Sequence, residues 1–125
     1  MTSNNVLVVD DELDIRELIQ EILTEEGYKV TVASSAREAR EARKNRDFDL
    51  ILLDIWMPDT DGISLLKEWS ENNQLNSSVV MMSGHGTVDT AIESTHLGAS
   101  SFIEKPLSIA KLLRTVEEVL AEKKS

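Results

Sequence analysis

Short apolar runs alternate with amphipathic stretches along the chain. The runs are Val6-Leu7-Val8-Val9, residues 28–33, Leu50-Ile51-Leu52-Leu53, Val79-Val80-Met81-Met82 and Ser101-Phe102-Ile103. The first, third and fourth are almost continuously apolar, which predicts strands of a parallel sheet covered on both faces. Tyr28-Lys29-Val30-Thr31-Val32 alternates more than the others and reads as an edge strand. Between the runs lie helical patterns. Ile15, Leu18, Ile19 and Ile22 fall at i, i+3, i+4 and i+7, as do Ile109, Leu112, Leu113 and Val116, with Leu120 continuing that stripe. Gly27 stands where a helix would end on a C′ glycine. Ser35 and Glu38 have the spacing of a capping box, and Ser108 is placed to cap the last helix. The repeated β-α order predicts a parallel α/β sandwich in one domain of residues 1–125, with its core over about 5–121.

Composition narrows the function. The 125 residues are 41% hydrophobic and 29% charged, as expected of a folded globular chain. The longest aliphatic runs are four residues, too short to span a bilayer. Residues 1–5 lack the basic and apolar regions of a secretion signal. The absence of cysteine excludes disulfides and thiolate metal sites, and with the other features it predicts a cytoplasmic protein. Thirteen basic and 23 acidic residues leave a net charge of −10, with no basic stripe. That field argues against direct contact with nucleic acid, whose binders neutralise phosphates with Lys and Arg.

Ligands of open α/β sheets bind beyond the carboxyl ends of the strands. The residues found there are Asp10-Asp11-Glu12 after the first run, Asp54 after the third, Ser83-Gly84-His85-Gly86 after the fourth, and Glu104-Lys105-Pro106 after the fifth. Asp10, Asp11 and Asp54 on one rim would repel one another and raise each other's pKa unless a cation answers them. Carboxylate oxygens with room for retained water suit Mg²⁺ better than Ca²⁺. Lys105 adds a mobile positive charge, Ser83 a hydroxyl, and Gly84 an accessible backbone N–H. A nucleophile, a metal, a cation and a hydrogen-bond donor are the parts needed to transfer a phosphoryl group to a carboxylate.

Val9-Asp10-Asp11-Glu12, Leu53-Asp54-Ile55-Trp56-Met57-Pro58 with Asp61-Gly62, Met82-Ser83-Gly84 and Lys105-Pro106 resemble the signature of response-regulator receiver domains, over about residues 5–120. The resemblance implies a flavodoxin-like doubly wound five-stranded parallel sheet, in the order 2-1-3-4-5, flanked by five helices. It implies Asp54 as phosphoacceptor, and Asp11 as main Mg²⁺ ligand with Asp10 acting directly or through water. The Trp56 backbone carbonyl would be a further ligand, with Asp54 completing the metal set. Lys105 would pair with the phosphoryl group, Ser83 would close on it, and Phe102 would be the switch aromatic. Phe stands at position 102 where Tyr is commonest, so no switch hydroxyl is present there. The Lys105–Pro106 bond is usually cis in the family.

Residues 54–62 and 83–87 resemble more narrowly the receivers of NtrC/NtrX-type nitrogen regulators. That resemblance implies an NtrY-like sensor histidine kinase as donor and phosphorylation-dependent homodimerisation. It further implies an ATPase domain and a helix-turn-helix after the receiver, and an output in transcription regulation. On this reading the chain is excised from a longer regulator.

The same residues admit other readings. Asp10, Asp11 and Glu12 could simply favour a helix N-terminus, and Asp54 and Lys105 singly could be surface residues; only their combination speaks for a site. Asp59-Thr60-Asp61-Gly62 with Glu68 mimics part of a calcium loop, but Met57 and Pro58 would open it, so a turn is expected. His85 and His96 read as surface or packing residues, and Trp69 as core. An aspartyl-phosphate phosphatase would want a second Asp at position 56, which is Trp. A flavodoxin-like nucleotide binder would want a phosphate-cradling loop where Asp10-Asp11-Glu12 stands. A degenerate receiver would lack part of the site set.

Overall fold

The computed structural model describes residues 4–71, 77–84, 88–105 and 108–124. Five strands, β1 (Asn5–Val9), β2 (Lys29–Ala33), β3 (Leu50–Asp54), β4 (Ser78–Ser83) and β5 (Ser101–Glu104), alternate with α1 (Leu13–Glu25), α2 (Ala36–Asn45), α3 (Gly62–Glu71), α4 (Val88–His96) and α5 (Ile109–Lys124). All strand pairs are parallel and the order is β2-β1-β3-β4-β5, as the resemblance implied. β2 lies on an edge, and its partly exposed residues explain the alternation of its sequence.

Alternate residues of the inner strands feed two cores. Leu7, Val9, Ile51, Leu53, Val79 and Met81 face α2 and α3, meeting Ala36, Ala39, Leu65, Leu66 and Trp69. Val6, Val8, Leu50, Leu52, Val80 and Met82 face α1 and α5, meeting Ile19, Leu23, Leu112 and Val116. The helical stripes are shifted from the expected ones. Leu18 and Ile109 remain 40% and 54% exposed, while Leu23 and Val119 are buried. Leu18 is not among the residues packed on the α1–α5 core, and Ile109 is the first residue of α5.

Local signals set the helix ends. Gly27 has a φ of 94°, and the N–H groups of Gly27 and Tyr28 bond back to the carbonyls of Thr24 and Leu23, a Schellman closure of α1. Ser35 Oγ accepts from the Glu38 N–H at 3.2 Å. The Glu38 carboxylate turns back to the Ser34 N–H rather than to that of Ser35, so the expected capping box closes one residue early. Ser108 Oγ accepts from the Lys111 N–H at 3.3 Å.

Candidate functional site

The strand order reverses between β1 and β3, and such a switch point opens a crevice at the strands' carboxyl ends. Val9 is level with Leu53, so Asp10 and Asp54 are the next residues on neighbouring strands. Both are buried, with Asp54 3% exposed, and so is Ser83 at the end of β4. Asp11 and Glu12 are exposed. Ser83 pairs with Glu104, and its carbonyl accepts from the Lys105 N–H at 2.9 Å, which carries Lys105 to the same rim. The Lys105 ammonium then lies 2.7 Å from Asp10 Oδ2, 3.2 Å from Glu12 Oε1 and 3.5 Å from Asp54 Oδ1.

The electrostatics follow from this crowding. Burial first, and the Asp10 carboxylate second, push the Asp54 carboxyl up to about 7; Asp11 adds to the rise and Lys105 opposes it. Burial alone would lower the Lys105 pKa, but Asp10, Asp54 and Glu12 outweigh it and hold the ammonium charged. Asp10 Oδ2 is fully buried and meets that ammonium without the alignment of a hydrogen bond. Asp10, Asp11 and Glu12 offer ligand oxygens within 4.8 Å of one another. A buried carboxylate oxygen lacking an aligned donor, beside further carboxylates, fits a hard divalent cation. Glu12 was not among the expected ligands, and Asp54 joins the group through Lys105 rather than through that carboxylate cluster.

The Trp56 ring is 57% exposed at the rim, whereas Trp69 is buried as expected. Phe102 is half-buried against the α2–α3 side of the sheet. His85, Gly86 and Pro106 lie outside the described residues, and with them the Lys105–Pro106 bond. Several supporting residues were not anticipated. Arg16 donates to the Asp10 carbonyl at 2.8 Å, and the Asp10 carboxylate accepts from the Glu12 N–H at 2.9 Å. Asp61 caps α3 by accepting from the Ser64 N–H at 2.8 Å. Gly62 has no room for a side chain, because a Cβ would overlap the Asp54 carbonyl oxygen. The segment expected to be a simple turn also carries Asp59, whose two carboxylate oxygens accept from the N–H groups of Ala36 and Arg37 at 3.2 and 3.1 Å.

Comparison with known proteins identifies the family. The profile of the response regulator receiver domain matches residues 6–117. The transcriptional regulatory protein ZraR of Escherichia coli O157:H7 is 39% identical over 97% of this chain and 28% of its own length. The nitrogen assimilation regulatory protein NtrX of Azorhizobium caulinodans is 38% identical over 94% of this chain and 26% of its own. The chain thus spans about a quarter of the length of these curated relatives. Among solved structures, NtrX from Brucella abortus superposes with a TM-score of 0.90 at 39% identity, covering 98% of this chain and 28% of that one. The beryllofluoride-activated NtrC4 receiver domain dimer gives 0.88 at 42% identity, covering 95% and 98%.

Proposed function

The chain belongs to the response-regulator receiver family, and from that premise we propose that it accepts a phosphoryl group on Asp54 from a sensor histidine kinase. The observation that carries this reading is the buried Asp54 carboxylate at the end of β3, 3.5 Å from the Lys105 ammonium and beside Asp10. An Asp54 oxygen attacks phosphorus as the bond to the donor's imidazole nitrogen breaks. The nitrogen keeps the bonding pair and takes up a proton. When bound, Mg²⁺ supplies positive charge against the transferring oxygens; Asp10, Asp11, Asp54 and the Trp56 carbonyl would hold it. Lys105 pairs with one phosphoryl oxygen and the Ser83 hydroxyl with another. Asp54 then carries ~−1.5 to −2 in place of one carboxylate charge. Ser83 and Lys105 move inward, and Phe102 follows, altering the surface between α4 and β5. The result is a two-state population shift rather than turnover, reset by slow hydrolysis of the acyl phosphate.

The similarity to NtrX and ZraR supports an NtrY-like kinase as donor. It likewise supports an ATPase domain and a helix-turn-helix as output partners, cytoplasmic transcription regulation as the setting, and homodimerisation as one response. Among the described residues no helix is long and apolar enough to cross a membrane. Intact mass after incubation with acetyl phosphate and Mg²⁺ tests the reading. A phosphoryl adduct on the wild type, absent from Asp54→Ala, is expected. An equal adduct on the variant would move the acceptor elsewhere, and none on either chain would refute the function.

A further inference from the structure

We propose that Asp59 is a positioning residue for the metal: by clamping the β3–α3 loop to the N-terminus of α2, it fixes the backbone carbonyl of Trp56. The inference rests on the reading of the site as a Mg²⁺ pocket.

A side-chain ligand can correct its aim by changing rotamer, but a backbone carbonyl moves only with its loop. Mg²⁺ accepts little error, since it demands a near-octahedral shell at about 2.0–2.1 Å. The loop from Trp56 to Asp61 must therefore be held, and its ends are. The Gly62 N–H donates to the Ile55 carbonyl at 2.7 Å, and Gly62 rests against the Asp54 and Ile55 backbone. Asp61 is engaged with α3. Asp59, three residues beyond Trp56, reaches an element 22 and 23 residues away in sequence through the Arg37 and Ala36 N–H groups.

Those N–H groups belong to the first turn of α2, where backbone donors lack intrahelical acceptors and the helix dipole favours a carboxylate. Burial pushes the Asp59 carboxyl up, but the backbone donors, Ala36 first and Arg37 next, outweigh it and hold the group below its usual value. Ser35 Oγ takes the following N–H, that of Glu38. The same helix end therefore carries two caps: Ser35 from its own chain segment and Asp59 from the metal loop. Linkage is reciprocal, so a cation that needs the clamped loop also strengthens the first turn of α2.

The two caps allow a test. The full chain is used in a Trp69→Phe background, so that fluorescence reports Trp56. Mg²⁺ is titrated into wild type, Asp59→Ala, Asp59→Asn and Ser35→Ala, each also melted in chelator. Asp59→Ala and Ser35→Ala are expected to lower the melting temperature. Only the Asp59 variants are expected to weaken Mg²⁺ binding, by at least fivefold for Asp59→Ala and less for Asp59→Asn, which keeps one acceptor oxygen. Mg²⁺ is expected to slow amide exchange at Ala36 and Arg37 in the wild type and in Ser35→Ala, but not in Asp59→Ala. If the wild type responds to Mg²⁺ and the Asp59 variants bind it as tightly, Asp59 is only a helix cap and the proposal fails. Equal weakening by Ser35→Ala would assign the effect to α2 stability and likewise overturn it. A wild type without any Mg²⁺ response defeats the metal-site reading itself, and this inference with it.

Discussion

Replacing Asp54 with Asn removes a carboxyl that burial and Asp10 push up to about 7 from an ordinary 3.8. The folded chain holds this proton more tightly than the unfolded chain. Its stabilising contribution is therefore complete below pH 3.8 and is lost as pH rises through about 7. At about 1.4 kcal/mol per pKa unit, that interval sets a ceiling of about 4 kcal/mol on the destabilisation of the metal-free wild type at pH 8. The group is 3% exposed, so solvent screening discounts little of it. The Lys105 ammonium favours the ionised Asp54 and so opposes the rise, and that opposition is already contained in the shifted value. The informative quantity is thus the pH dependence of the difference between the two proteins. Between pH 5 and pH 8 the wild type is expected to lose about 2–3 kcal/mol relative to Asp54→Asn, on the order of 10 °C at about 4 °C per kcal/mol. Thermal melts in chelator across that range measure it. Asp11→Asn serves as the contrast, because Asp11 is exposed and acts on Asp54 less than Asp10 does, so it should leave most of the slope in place. Parallel melting curves for wild type and Asp54→Asn would refute the reasoning.

Gly62→Ala is expected to cost at least about 2 kcal/mol and to weaken Mg²⁺ binding, because its Cβ meets the Asp54 backbone. Gly27→Ala, strained by its φ of 94° but with open space around it, should cost about 1–2 kcal/mol in a melt and leave Mg²⁺ binding unchanged. Lys105→Met removes the ammonium 2.7 Å from Asp10. It should destabilise the chelated protein at pH 8 yet tighten Mg²⁺ binding by about tenfold in a fluorescence titration, since a like charge near the cation is removed. The Arg40–Glu68 pair joins α2 to α3 through contacts of 2.9 Å, with side chains 37% and 38% exposed. A double-mutant cycle should return less than about 1 kcal/mol, falling further in high salt.

The parts of the fold carried by strong local signals were legible. Continuous apolar runs at β1, β3 and β4 follow from burial on both faces, and the mixed pattern of β2 from its place at the edge. Gly27 and Ser35 announced helix ends because their mechanisms act within a few residues. The shared rim of Asp10, Asp54, Ser83 and Lys105 was legible because each directly follows or ends a strand, with Asp11 one residue beyond Asp10. What escaped depends on geometry between distant segments. No spacing rule links Asp59 to residues 22 and 23 positions earlier, or Arg16 to the carbonyl of Asp10. Glu12 reads from sequence only as part of the acidic run after β1, since its contact with Lys105 closes across 93 residues. The helical stripes slipped at Leu18 and Ile109 because periodicity gives a face but not how far the sheet extends beneath it.

One ammonium cannot satisfy the pocket as it stands. Lys105 is shared by Asp10, Glu12 and Asp54 at 2.7, 3.2 and 3.5 Å, so three carboxylates contact one lysine, and Asp11 lies beside Asp10 and Glu12. The raised Asp54 pKa expresses that shortfall, since a proton supplies part of the missing positive charge. In the proposed cycle a divalent cation relieves the shortage at Asp10 and Asp11. Lys105 is then needed less by Asp10 and Glu12, and becomes available to the new anion on Asp54. In that cycle the partner exchange would follow because the contacts compete for one side chain shared among three acceptors. The loop carrying Trp56 is tied at two points: Gly62 abuts the Asp54 backbone and Asp59 engages α2. In the proposed cycle, a held loop opposite a lysine with alternative partners would let a change of charge at Asp54 become a change of shape on the β5 side of the sheet, where Lys105 follows directly from the strand carrying Phe102.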